Sequence, residues 1–123
     1  MSFLKPESVV PVGGEYTSPD GQLRLLVICP DGDWTLGFDG FPWHTHGSIL
    51  ASLSGKDEEI AIDDFVADLT SGKSIIAMKR ISGSVADVWV TDDPADDLSG
   101  SQKYGPDDET MEFRLWDGSA VKV

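Results

Sequence analysis

The sequence predicts an α+β fold: an antiparallel sheet of five or six strands with two short helices packed on one face. Three observations lead to this prediction. Asp-Gly pairs separate short apolar runs, one stretch carries apolar residues at helical spacing, and the helical signals are grouped together between strand signals. Grouped helices do not serve as crossovers between parallel strands, so the strands are predicted to pair antiparallel.

Four Asp-Gly pairs mark tight turns, because both residue types tolerate positive φ. They are Asp20-Gly21, Asp31-Gly32, Asp39-Gly40 and Asp117-Gly118. Around the second pair, residues 23–29 and 34–38 have the pattern of two hairpin strands. The segment before this hairpin, residues 1–19, is predicted to run over the surface, with a short edge strand within residues 9–12.

Two helices are predicted after the first hairpins. Thr45 is expected to cap a short helix that ends at Gly55. The second helix has the clearer pattern, with an apolar stripe at i, i+3, i+4 and i+7 and Gly72 placed to end it. The stripe consists of Ile62, Phe65, Val66 and Leu69. Asp63 and Asp64 are expected in its first turn, where the helix dipole favours anions.

The rest of the chain is predicted to return to strands. The strands are expected at residues 73–81, 85–91, 109–116 and 119–123, and residues 92–108 are expected to form a long acidic loop. A chain of 123 residues buries about two thirds of its unfolded surface when it folds. We therefore expect one α+β domain over residues 1–123.

The charge limits the classes of function. The chain has 22 Asp and Glu residues against 9 Lys and Arg, a net charge of −13. Such a surface repels nucleic acid and anionic lipid, and it attracts a cation or a basic protein surface. Solubility through self-repulsion is the alternative explanation. The predicted binding carboxylates cluster in and beside one loop: Asp92, Asp93, Asp96, Asp97, Asp107, Asp108 and Glu109.

Compartment and cysteine chemistry are also predicted from the sequence. The first residues lack a signal-peptide pattern, and no stretch approaches the roughly 20 apolar residues that cross a bilayer. We expect a cytoplasmic protein. Cys29 is the only cysteine, so neither an intramolecular disulfide nor a cysteine-based zinc site can form. Its apolar neighbours predict a buried, inert thiol.

One segment contains the residues of a possible metal site. His44 and His46 would project to the same side of an extended chain, and Asp39 is near enough to supply an oxygen ligand. If Thr45 caps a helix, however, the two rings diverge. The chain has no third histidine, so we predict no metal and no cofactor. A metal-dependent enzyme or ligand-binding protein centred on these three residues is the alternative function.

Trp43 is the aromatic candidate for a binding residue. With Phe41 and Pro42 it stands in a strand-to-helix connection, where it could anchor a partner or fold under the helix and seal the core. We include it in the predicted binding site beside the seven carboxylates. The sequence has no Gly-x-Ser-x-Gly elbow, no calcium-loop pattern and no phosphate-binding glycine loop, so no catalytic residue is predicted.

In overall profile the chain resembles the small immunity proteins that neutralise secreted bacterial toxins. The shared features are one small acidic domain, an expected cytoplasmic location, many aromatic residues and no catalytic motif. Many such proteins present carboxylates to the cationic cleft of a nuclease. The resemblance involves no sequence motif, and it implies a non-catalytic protein that docks on a basic partner such as a bacterial toxin, without contacting nucleic acid or a membrane.

Overall fold

A computed structural model describes residues 14–123, which contain seven strands and three helices. In chain order they are β1 Gly14–Thr17, β2 Arg24–Ile28, β3 Thr35–Phe38, β4 His44–His46, α1 Gly47–Ser54, α2 Glu58–Thr70, β5 Ile75–Ile81, β6 Ser84–Thr91, α3 Pro94–Tyr104 and β7 Glu109–Arg114. The edge strand predicted within residues 9–12 lies outside the described residues. None of these three helices is long and apolar enough to cross a membrane.

The strands form two antiparallel sheets, which confirms the α+β class. The first sheet has the order β1-β2-β3-β4 and the second the order β6-β5-β7. The prediction of a single sheet of five or six strands is therefore not matched. One contact between the segment before β4 and strand β6 is a hydrogen bond to a side chain: the Trp43 N–H donates to Asp87 Oδ1 at 3.1 Å.

The hairpin of β2 and β3 confirms the prediction made from Asp31-Gly32. Both turn residues have positive φ, 52° and 81°. Leu25 pairs with Phe38 across the hairpin, and the side chains on the face that contains these two residues are buried.

Two expectations about the residues next to this hairpin are wrong. Residues 14–17 form β1 on the edge of the sheet instead of running over the surface, and Cys29 is exposed because the strand ends one residue before it.

Helix α1 begins later than predicted. Thr45 lies in β4, paired with Leu36, so it does not cap the helix, and the N-cap is His46. Gly47 starts the helix at a close approach to α2, since a Cβ there would lie 2.8 Å from Ile62 Cδ1. The predicted end is confirmed: Gly55 adopts the left-handed conformation, and its N–H donates to the Ala51 carbonyl at 2.9 Å.

Helix α2 presents its predicted stripe to the core. Ile62, Val66 and Leu69 are buried, and Phe65 is partly buried against the same cluster. The helix begins at Glu58, however, so Glu58 and Glu59 occupy the first turn and the expected first-turn residues lie further along. The buried residues of the stripe belong to one core cluster with buried residues of both sheets, so α2 packs in the same core as the two sheets.

Helix α3 replaces most of the loop predicted for residues 92–108. Asp93 Oδ1 accepts the Asp96 N–H at 3.1 Å as an N-cap, and Pro94 occupies the first turn. The helix lies on the face of the second sheet opposite the core: Val88 is buried, and its neighbour Trp89 donates from Nε1 to Asp97 of α3 at 3.2 Å. The prediction of two helices packed on one face therefore missed this third helix, which lies on the opposite face of the second sheet.

The C-terminal turn is confirmed, although the predicted strand at residues 119–123 reduces to one bridge between Arg114 and Ala120. Gly118 has a φ of 97°, and the Leu115 N–H donates to the Ser119 carbonyl at 2.9 Å across the turn. Trp116 is buried in the core cluster. The segment after β7 therefore packs against the core through the Trp116 side chain and then reverses direction in a tight turn.

The cap of α3 gives a test of the helix itself. Asp93→Ala is expected to lower the free energy of unfolding by about 1 kcal/mol, because the Asp96 N–H loses its acceptor. Chemical denaturation measures the loss. The control is Asp107→Ala at an exposed position, which should change stability by less than about 0.5 kcal/mol. Equal effects of the two substitutions would contradict the cap.

Candidate partner-binding site

The seven predicted binding carboxylates divide between the two ends of α3. Asp92, Asp93, Asp96 and Asp97 lie at its N-terminal end, and Asp107, Asp108 and Glu109 follow its C-terminal end. An α-helix of this length spans about 15 Å, which exceeds the Debye length of roughly 10 Å at moderate salt. The two groups are therefore separate negative regions rather than one.

Four of the seven carboxylates accept hydrogen bonds from the chain itself. The donors are the Asp96 N–H to Asp93, Trp89 Nε1 to Asp97, Ser82 Oγ to Asp108 and Ser101 Oγ to Glu109. These bonds fix the start of α3, its position on the sheet and its connection to β7. The structure thus gives more than half of the predicted binding carboxylates a role in folding.

The other three carboxylates belong to Asp92, Asp96 and Asp107, and all three residues are exposed. Within residues 14–123 their side chains form no hydrogen bond or ion pair. Asp96 lies in the first turn of α3, where its charge also favours the helix dipole. Asp92 and Asp107 have no comparable structural role in the part of the chain described, and they are the freest to face a partner.

Asp92 and Trp43 line the same groove, although they are far apart in the sequence. The groove has a volume of about 420 Å³ and lies between the α1–α2 pair and the end of β6. Apolar side chains contribute much of its lining: Trp43, Leu50, Leu53, Ala61, Phe65 and Val90. Three carboxylates also line it, those of Asp64, Asp68 and Asp92. We call this feature the acidic groove.

Trp43 contributes to both the core and the acidic groove. Its ring centroid lies 6.1 Å from that of Phe38 with the planes tilted by 31°, and the side chain packs partly buried against the core cluster. The two interpretations of this residue, core seal and partner anchor, therefore do not exclude each other. A tryptophan held by the core also presents its surface to a partner with little loss of side-chain freedom.

The groove also contains residues that are not among the predicted site residues. Leu53 is 82 % exposed near the end of α1, and Asp64 and Asp68 are one turn apart on α2. Lys56 pairs with Asp64, and this hydrogen bond raises the pKa of the lysine above its usual value. One sequence signal was available: the i, i+4 spacing of Asp64 and Asp68 puts both carboxylates on one side of a helix.

No protein-family model, curated protein or solved structure matches the chain. The function of the chain is therefore inferred from the chemistry of its own surface.

The histidine pair has a different geometry from the one expected with a Thr45 cap. Because β4 is extended, His44 and His46 lie on the same side, with ring centroids 5.1 Å apart and planes at 88°. His46 Nδ1 lies 3.3 Å from Asp33 Oδ2. Asp39, the expected third ligand, is instead paired with Arg24. In residues 14–123 no three His, Cys, Asp or Glu residues are grouped so that they could hold a metal ion.

Proposed function

We propose that the chain is a non-catalytic acidic binding protein that docks on a basic surface of a partner protein. Inhibition of a toxin-like partner, as in the immunity proteins that the sequence profile resembles, is the specific form of this function. The observation that carries the proposal is the meeting of Asp92 and Trp43 in one groove. It combines an exposed anion, which forms no ion pair with any described residue, with a large aromatic surface.

The electrostatics support a cationic partner. The net charge of −13 produces a long-range field that raises the rate of encounter with basic proteins and slows approach to nucleic acid and anionic membranes. The exposed carboxylates at both ends of α3 contribute to this field. Aromatic side chains dominate the energy of many interfaces, so the charges steer the encounter and the aromatic surface stabilises the complex.

The test is capture of partners from a lysate of the native organism on immobilised protein at low and high salt. We expect basic proteins to bind at low salt, with association rates that fall about tenfold or more when salt is raised. A matched variant carries Asp92→Asn, Asp96→Asn and Asp107→Asn, three exposed positions. It should associate more slowly with the captured partner while keeping nearly the wild-type melting temperature.

Two results would remove this proposal. One is a specific partner whose surface is neutral or acidic. The other is a basic partner whose association rate changes neither with salt nor with the triple substitution.

A further inference from the structure

The lining of the acidic groove is unusually open for an apolar surface. Leu53 lines the groove from the penultimate position of α1, and it is 82 % exposed. Leu50 and Phe65 are partly buried beside it. A hydrophobic side chain gains about 25 cal/mol for each Å² removed from water. A partner that covers this surface therefore gains binding energy without any need to rearrange the fold.

The charged residues that line the groove favour a partner with positive charge. Three carboxylates and one lysine line it, which leaves two net negative charges beside the apolar surface. Asp64 is paired with Lys56, whereas Asp68 and Asp92 have no ion pair within the described chain. Lysine and arginine match both features, since their aliphatic stems pack on apolar surface while their charged ends reach carboxylates.

We propose that the acidic groove binds a cationic segment of the partner protein. An apolar side chain of that segment packs against Trp43, Leu53 and Phe65, and neighbouring lysine or arginine side chains pair with Asp68 and Asp92. This inference rests on the proposed function and makes it more specific, because it places the centre of docking in the groove rather than at the far end of α3. A second copy of this chain is disfavoured as the occupant by its own charge of −13.

The test uses a fluorescein-labelled peptide with one central tryptophan flanked on both sides by arginines, and fluorescence anisotropy at low salt. Two control peptides replace the tryptophan by alanine or the arginines by glutamate. We expect the first control to bind several-fold more weakly, because it lacks the apolar anchor. The second should not bind, because glutamate would face the carboxylates of the groove.

Two protein variants with the same change in charge locate the site. The groove variant carries Asp68→Asn and Asp92→Asn, and the control variant carries Asp96→Asn and Asp107→Asn. The groove variant should bind the peptide about tenfold more weakly, the equivalent of one charge-assisted hydrogen bond. The control variant should change the affinity by less than about twofold, because its charges act only through the screened field.

Leu53→Ser tests the apolar part of the groove at an exposed position, where folding should be preserved. We expect this variant to bind the peptide several-fold more weakly at an unchanged melting temperature. Failure of the wild type to bind the arginine-tryptophan peptide would overturn the groove inference. Equal loss of affinity in the groove and control variants would overturn it as well.

The captured partner separates failure of this inference from failure of the proposed function. A basic partner whose salt-dependent binding is weakened by the control variant and not by the groove variant leaves the proposed function standing and removes the groove as its centre. Absence of any salt-dependent basic partner removes the proposed function itself. Weakening of the captured complex by the groove variant and by Leu53→Ser supports both.

Discussion

Leu69→Ala is expected to lower the free energy of unfolding by about 2–5 kcal/mol. Leu69 is 0 % exposed in the core cluster, and truncation there removes buried apolar contacts and leaves a cavity between α2 and the sheets. The measurement is equilibrium denaturation in urea, with the midpoint and the slope fitted separately. An unchanged slope would show that the loss is one of stability and not a change in the denatured state.

Leu53→Ala is the matched control. Leu53 is the penultimate residue of α1, as Leu69 is of α2, so the two substitutions change helix propensity at equivalent positions. Because Leu53 is 82 % exposed, its truncation should change stability by less than about 0.5 kcal/mol. A cost below about 0.5 kcal/mol for Leu69→Ala would mean that this face of α2 is not packed in the core.

The elements predicted correctly are those whose local pattern agrees with their packing. The hairpin of β2 and β3 combines alternating apolar residues with a turn in which Asp31 and Gly32 adopt positive φ. The stripe of α2 has the period of a helix, and the structure buries three of its four residues and part of the fourth. In both cases the apolar residues whose spacing indicates the element also form the face that packs in the core. The local sequence pattern and the tertiary packing therefore favour the same structure.

Helix α3 was missed because it has no buried residue and hence no apolar stripe to detect. Its signal lies in its cap, where Asp93 precedes Pro94 and a carboxylate follows in the first turn. Acidic residues without an apolar stripe are also typical of a loop, which is why a loop is predicted there. The division into two sheets was missed because strand signals do not show which strands pair. The strand orders β1-β2-β3-β4 and β6-β5-β7 are set by contacts between residues far apart in the sequence.

The candidate site was predicted only in part. Trp43 and Asp92 were selected separately, one for its aromatic ring and the other for its charge, and their meeting depends on how β6 ends beside the α1–α2 pair. Asp68 was not selected, because a carboxylate on the outer side of an amphipathic helix normally faces solvent. Sequence patterns identify the chemistry of such residues, whereas the topology decides which of them share a surface.

The ion pair between Asp20 and Arg114 is expected to make stability depend on acid pH. Arg114 is only 6 % exposed, and its Nη1 and Nη2 donate to the two oxygens of Asp20 at 2.8 and 3.2 Å. The hydrogen bonds from Arg114, and then from Ser18, hold the pKa of Asp20 well below its usual value. The carboxylate thus joins the chain before β2 to the end of β7.

The sign of the pH effect follows from the lowered pKa. Because the folded state holds the Asp20 carboxylate ionised, this group adds stability above the pKa of an unfolded Asp, about 3.9, and the contribution is lost as the pH falls below that value. In Asp20→Asn the contribution is absent at every pH. Unfolding free energies should therefore differ most near neutral pH, and the difference should shrink in acid. The pKa of Asp117 is also lowered, first by the hydrogen bond from the Ser119 N–H. Its contribution to the pH dependence of stability should remain in Asp20→Asn.

Arg114→Met is expected to be more damaging than loss of a surface ion pair. Besides Asp20, Arg114 donates to the buried Trp116 carbonyl at 3.0 Å, and leaving that acceptor without a donor costs about 1–3 kcal/mol. The matched control is Arg80→Met, which removes the more exposed pair with Glu112 and should cost at most about 1 kcal/mol. Denaturation of both variants at neutral pH makes the comparison. Equal losses, or a difference between wild type and Asp20→Asn that stays constant down to acid pH, would show that the ion pair does not join these parts of the fold.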